Sequence, residues 1–219
     1  MDDESPPQNE SPAHPRRQPK QLRSKELVRA IREAGLLLLA EEGPEALNTN
    51  RIAERAGVGI ASVYRYFPNK EAVVADIFEA RIAEIDARYR EILASLDFQQ
   101  KTLREKLRQM VEIPVMISRE LLALHQEFFR AHHAHFEISY RRGPEGEASW
   151  VQWSENWWRE NLAAHRDELR VNNVDHAALI VLSGLRGAID NAVARYPAYF
   201  DQPEFVEEMI DMAERYLLK

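Results

Sequence analysis

The twenty-six residues from Asn48 to Val73, NTNRIAERAGVGIASVYRYFPNKEAV, constrain the fold more than any other stretch of this chain. Their spacing predicts two short helices joined by a glycine turn, followed at once by a third. Ile52, Ala53 and Ala56 give the first helix an apolar face. Gly57 ends it, because a residue without Cβ enters the left-handed region at no steric cost. Val58, Gly59 and Ile60 carry the chain around into a helix of two turns that runs to about Tyr66. Val63 and Phe67, at i and i+4, face inward there. Ala61, Ser62, Arg65 and Tyr66 are left on or near the outer side, which is the layout of a helix-turn-helix.

These residues resemble the DNA-binding signature of the tetracycline-repressor (TetR) family of bacterial transcription regulators. The resemblance runs from near Lys25 to about Phe78 and centres on IAERAGV, VYRYF and NKEAV. Capping, turn and aromatic signals stay in register over some fifty residues, which separates it from a chance helix-turn-helix pattern. Two positions depart from the family pattern. Gly59 stands where Ser or Thr is frequent, and Ala61 stands where the pattern has Gly. Gly59 still caps a helix but brings no hydroxyl, and the Ala61 methyl suits a thymine methyl. These departures bear on the operator sequence rather than on the docking mode.

The resemblance also implies roles. Asn48 caps the second helix, and the Thr49 hydroxyl or N–H meets a phosphate. Gly59 opens the recognition helix, whose Ile60, Ala61 and Ser62 face base edges. Tyr64 and Tyr66 match the family's phosphate-contacting aromatics, and Arg65 is placed for either a guanine edge or a phosphate. Lys70 lies in the first turn of the fourth helix, where ammonium and helix end are both positive. Core packing is the competing reading for Phe67, where we accept it, and for Tyr64, where it is half the account.

A net charge of −7 over 219 residues suits a DNA binder only once it is divided along the chain. Residues 1–15 carry four acidic side chains and no Lys or Arg, residues 16–79 carry 11 basic and 9 acidic, and residues 80–219 carry 18 and 23. The positive surplus is therefore confined to the segment that needs it. Cysteine is absent, so disulfides and thiolate metal sites are excluded, as suits a reducing cytoplasm. No apolar run approaches the ~20 residues of a bilayer span, and the acidic, Pro-rich start is unlike a secretory signal. We expect a disordered tail over residues 1–21, a helix-turn-helix domain over 22–79 and a second helical domain over 80–219. Arg16, Arg17, Lys20, Arg23 and Lys25 form a basic cluster before the first helix, either an arm that tracks phosphates or a solvated tail.

The fold class is all-α, with nine helices. The first spans about Ser24 to Glu42, its apolar positions Leu27, Ile31, Ala34 and Leu38, and Gly43-Pro44 stops it. Asn69 caps a long fourth helix that continues to Ser95. A fifth runs from about Lys101 to Ser118 with a kink at Pro114, and a sixth from Arg119 to about Tyr140, ended by Arg142-Gly143-Pro144. The seventh spans about Gly146 to Leu169. The eighth, capped by Asp175, reaches Tyr196, and the ninth runs from Pro203 to Leu218.

Family resemblance implies a homodimer on a near-palindromic double-stranded DNA operator, assembled through the last two helices. Leu185, Ile189, Val193, Phe205, Met209 and Met212 are candidates for that interface, with intramolecular core as the alternative. It implies also a small-molecule effector in the second domain. Met110, Phe128, His132, Trp153, Trp157 and Arg186 are candidates to line its pocket, beside Met116, Phe129 and Trp150. Trp150, Trp153 and Trp157 form one stripe, which is either a wall for a mainly apolar ligand or ordinary core. His125, His132, His133 and His135 lack acidic partners at metal-ligand spacing, so we expect no metal and no cofactor. No catalytic triad order, phosphate loop, HExxH or carboxylate pair is present, and an enzyme is not expected. The reading is a ligand-responsive repressor in the cytoplasm with no membrane partner. The alternative is a non-inducible DNA- or partner-binding protein with a filled second core.

Overall fold

The computed structural model describes residue 13, residues 21–137 and residues 149–219. Among the described residues the fold is all-α: α1 Leu22–Glu42, α2 Thr49–Arg55, α3 Ile60–Tyr66, α4 Lys70–Ala94, α5 Leu96–Gln100, α6 Leu103–Phe136, α7 Trp150–Ala164, α8 Val174–Arg195 and α9 Pro203–Leu217. The proline-rich tail, Arg16, Arg17 and Lys20, and the breaks expected at Tyr140 and Arg142-Gly143-Pro144 lie outside the described residues.

The helices form two compact units. The first comprises the described residues up to 84 together with 123–136, so it extends past residue 79 and takes in the last turns of α6. Its core is Ile31, Ala34 and Leu38 of α1, Ile52 and Ala53 of α2, Val63 and Phe67, and Val73, Ile77 and Phe78 of α4. Arg32 Nε donates to Asp76 Oδ2 at 2.7 Å and ties α1 to α4. Phe128, Phe129 and Phe136 gather around Phe78, with ring centroids 5.3, 5.9 and 5.1 Å from it.

The second unit comprises residues 85–122, 137 and 149–219. Here α8 supplies Ala177, Val181, Leu185, Ile189 and Val193 to the core, α9 supplies Met209, Ile210, Ala213 and Leu217, and α7 supplies Trp150, Trp158 and Leu162. By length and composition α8 is apolar enough to cross a bilayer. Eight of its residues are buried in this unit. Leu169 and Leu218 form an isolated antiparallel bridge that fastens the carboxy terminus.

The helix divisions differ from the sequence expectation at four places. Residues 103–136 run on past Ser118 and Arg119 without the expected break, and the chain leaves helical geometry at His125 and His132 rather than at Pro114. Proline's fixed φ is itself helical, so the chain can run on through Pro114 with the loss of one backbone bond, that from position 114 to the Met110 carbonyl. Tyr89 OH donates to the Ile113 carbonyl at 2.8 Å, and Ser118 Oγ donates to that of Pro114 at 2.9 Å. A short α5 precedes it, capped by Ser95. At α8 the cap is Asn173, whose Oδ1 accepts from the His176 N–H at 3.0 Å, so Asp175 is already inside the helix. At α7 the helix opens on Ser149 and ends at Ala164, giving way to a 3-10 turn over Arg166–Glu168.

Gly35 shows how closely α1 and α4 pack. A Cβ added there would lie 3.0 Å from Ile77 Cδ1 and 3.2 Å from Val73 Cγ1. Gly35→Val should therefore destabilise the protein by ~1–3 kcal/mol, the cost of overpacking a core. The urea midpoint should fall with the slope unchanged. An unchanged midpoint would mean that α1 shifts freely on α4.

Candidate nucleic-acid interface

The local sequence builds the helix-turn-helix through three different chain terminations. Asn48 Oδ1 accepts from the Arg51 N–H at 3.0 Å and starts α2. Gly57, at φ +66°, turns the chain left-handed after α2, and the Val58 N–H returns to the Ala53 carbonyl at 3.0 Å. Gly59 is in extended geometry (φ −68°, ψ 141°) and caps α3 with no side-chain bond. Only the first of these two glycines is required by backbone conformation. Val63 and Phe67 are completely buried, and they orient the two turns of α3.

That orientation presents the candidate contacts. Gly59, Ile60, Ala61, Tyr64, Arg65 and Lys70 are exposed, and Thr49, Ser62 and Tyr66 are half-buried. Phe67 is core, as accepted from its spacing. Tyr64 projects outward, its hydroxyl 3.1 Å from Thr49 Oγ1. Start of α2 and middle of α3 therefore present one shared hydroxyl pair, which can donate to and accept from a phosphate oxygen. Lys70 follows Asn69, whose Oδ1 caps α4 by accepting from the Ala72 N–H at 2.9 Å. Its ammonium thus stands at a positive helix end.

The charges of this surface are not equally available. Arg51 Nη2 donates to Glu42 Oε1 at 2.5 Å, and Arg55 Nη2 donates to both carboxylate oxygens of Glu41 at 2.7 and 2.6 Å. The hydrogen bond from Arg51 holds the Glu42 carboxyl below its usual pKa, and the same bond raises that of Arg51. Arg65 and Lys70, by contrast, make no ion pair among the described residues. These pairings span nine and fourteen residues, so no helical spacing could have signalled them.

The pocket candidates are divided between the two units. Met110, Trp153, Trp157 and Arg186 belong to the second, while Phe128 and His132 belong to the first, 4.6 Å apart between ring centroids. Trp153 and Trp157 are half-buried neighbours at 6.4 Å, and Trp157 lies 6.1 Å from Phe98. Trp158, missed by the stripe, is the more deeply buried indole, whereas Met116 is exposed. Arg186 Nη2 pairs with Glu137 Oε1 at 3.0 Å. Of the interface candidates, Leu185, Ile189, Val193 and Met209 are buried inside their own chain. Phe205 is half-buried against Phe200 and Tyr199, and Met212 is exposed. The exposed apolar side chains of α8 are instead Leu179 and Ile180, at 61% and 55%.

Comparison with known proteins falls on the same residues. Residues 31–77 match the family described as bacterial regulatory proteins, tetR family. The HTH-type transcriptional repressor KstR of Rhodococcus jostii is 36% identical over 64 residues, covering 29% of this chain and 30% of that protein. The fatty acid metabolism regulator protein of Bacillus subtilis is 32% identical over 78 residues, 35% of this chain and 38% of that one. The alignments thus span about a third of these relatives' lengths. A TetR-family transcriptional regulator from Mesorhizobium loti superposes with a TM-score of 0.53 at 14% identity, over 91% of this chain and 100% of the other. That likeness concerns the fold alone.

Open space surrounds Gly59, since an added Cβ meets nothing within 4 Å. Gly59→Ser should supply a side-chain acceptor for the first N–H groups of α3, where the Gly59 cap has none, and reduce unfolded-state freedom. We expect a gain of ~0.5–1 kcal/mol, read as a rise of about 1–4 °C in Tm. A fall in Tm would contradict the cap geometry.

Proposed function

Because this chain is a member of the tetR family of bacterial regulatory proteins, we propose that it is a repressor that binds a near-palindromic operator as a homodimer and is released by a small, mainly apolar effector. One observation carries the DNA reading. The outward face of α3 stands with the Thr49–Tyr64 hydroxyl pair and with two cations, Arg65 and Lys70, that have no ion-pair partner among the described residues. In this reading Ile60, Ala61 and Ser62 meet base edges in the major groove, and Thr49, Tyr64, Tyr66 and Lys70 hold the phosphates. Arg65 reads guanine or adds a further phosphate contact. The half-buried Trp153 and Trp157 support an apolar or aromatic effector in the second unit.

The salt dependence of binding separates available from neutralised cations. With duplexes selected from a genomic pool, Lys70→Ala should weaken binding to every sequence and lower the slope of log K against log salt by about one unit. Arg51→Ala should lower that slope much less, since its guanidinium is already held by Glu42. Equal losses in the two variants would refute this assignment. Failure of the wild type to bind any duplex at low ionic strength would refute the DNA reading itself.

The homodimer is supported by the uncovered side of α8. Leu179 and Ile180 are exposed there, and Gly184 and Gly187 have open space where a Cβ would stand. Nothing in the protomer requires either glycine, whereas close approach of a second helix does. Met212 and Tyr216 of α9 are exposed as well. Ile180→Asp should convert the dimer to monomer in sedimentation velocity without unfolding it. A variant that sediments as the wild type does would place the interface elsewhere.

A further inference from the structure

His125 interrupts α6 with an extended backbone (φ −163°, ψ 93°) and so stands at the cap position of the helical run that follows. Its Nδ1 accepts from the Phe128 N–H at 3.4 Å, the i to i+3 bond that capping side chains make. Only an imidazole with an unprotonated Nδ1 accepts such a bond. The ring is half-buried, its centroid 5.9 Å from that of Phe128. The run it caps carries Phe128 and Phe129, and Phe136 follows the second break at His132; all three rings pack around Phe78 of α4. All of these residues belong to the unit that contains α3.

We propose that His125 is a proton-operated cap: taking up a proton at Nδ1 breaks its bond to Phe128 and loosens the end of α6 from the phenylalanine cluster on α4. Protonation converts the acceptor into a donor that faces another donor. It also sets a positive charge on the positive end of a helix. The charged groups facing His125 are Glu127 of its own helix, Lys70 at the start of α4 and Glu45 in the 3-10 turn Pro44–Ala46. Burial lowers the pKa of His125 from the ordinary 6.5 and Lys70 acts in the same direction, while Glu127 and Glu45 oppose them. A histidine lowered in the folded state binds protons more weakly there than when unfolded. Its contribution to stability is thus complete above 6.5 and is lost as pH falls through the lowered folded value.

Amide hydrogen exchange of the full chain, without DNA, tests this apart from the regulatory reading. Between about pH 7.5 and 5.5, where histidine titrates, protection factors of the Phe128 and Phe129 amides should fall on the order of fivefold, as for one lost cap. His125→Asn, whose Oδ1 caps and does not titrate, should abolish the fall. His125→Phe should show the low protection at both pH values. Constant protection in the wild type would overturn the proposal, as would wild-type protection of His125→Phe at the higher pH. An equal fall in His125→Asn would also overturn it, assigning the effect to His132, His133 or His135.

Discussion

A two-turn helix does not persist alone in water, because nucleation consumes most of what its few hydrogen bonds return. The seven residues of α3 therefore depend on docking, and Val63 and Phe67 are the side chains that do it, both fully buried. Their burial settles the rotation of α3 about its own axis. With those two inward, Ala61 and Arg65 point outward, and the Tyr64 hydroxyl comes to the start of α2. The proposed DNA-facing surface is the complement of this small apolar contact.

Charge is organised by the same packing. Three of the basic residues in the first unit, Arg32, Arg51 and Arg55, are paired with Asp76, Glu42 and Glu41. The first brings α1 to α4 and the other two bring the end of α1 to α2. They fasten helices, so the surplus positive charge that the composition places in this segment falls to other residues. The exposed Arg51 and Arg55 pairs add little stability each, and their larger effect is to leave fewer cations for the proposed phosphate contacts. Arg65 and Lys70 remain, since neither makes an ion pair among the described residues.

Local signals made the helix-turn-helix legible. Asn48 and Asn69 cap, Gly57 takes positive φ, and Phe67 is core, each as its residue type and spacing require. The long helices were less legible. Pro114 reads as a break by type, yet its fixed φ is helical and the helix continues through it. His125 reads as an ordinary helical residue, yet its backbone is extended. On α8 both sides are apolar, so periodicity could not tell the buried Leu185, Ile189 and Val193 from the exposed Leu179 and Ile180.

The chain alone therefore determined the all-α class, the turn chemistry of residues 48–73 and the family to which they belong, because caps, glycines and i, i+4 pairs act within a few residues. Tertiary structure alone decided the Thr49–Tyr64 pair, the arginines neutralised by Glu41 and Glu42, the gathering of Phe128, Phe129 and Phe136 on Phe78, and the uncovered side of α8. Each of these joins or exposes residues on different helices. Such encounters depend on how helices rotate and cross when they pack, and no short-range spacing encodes that.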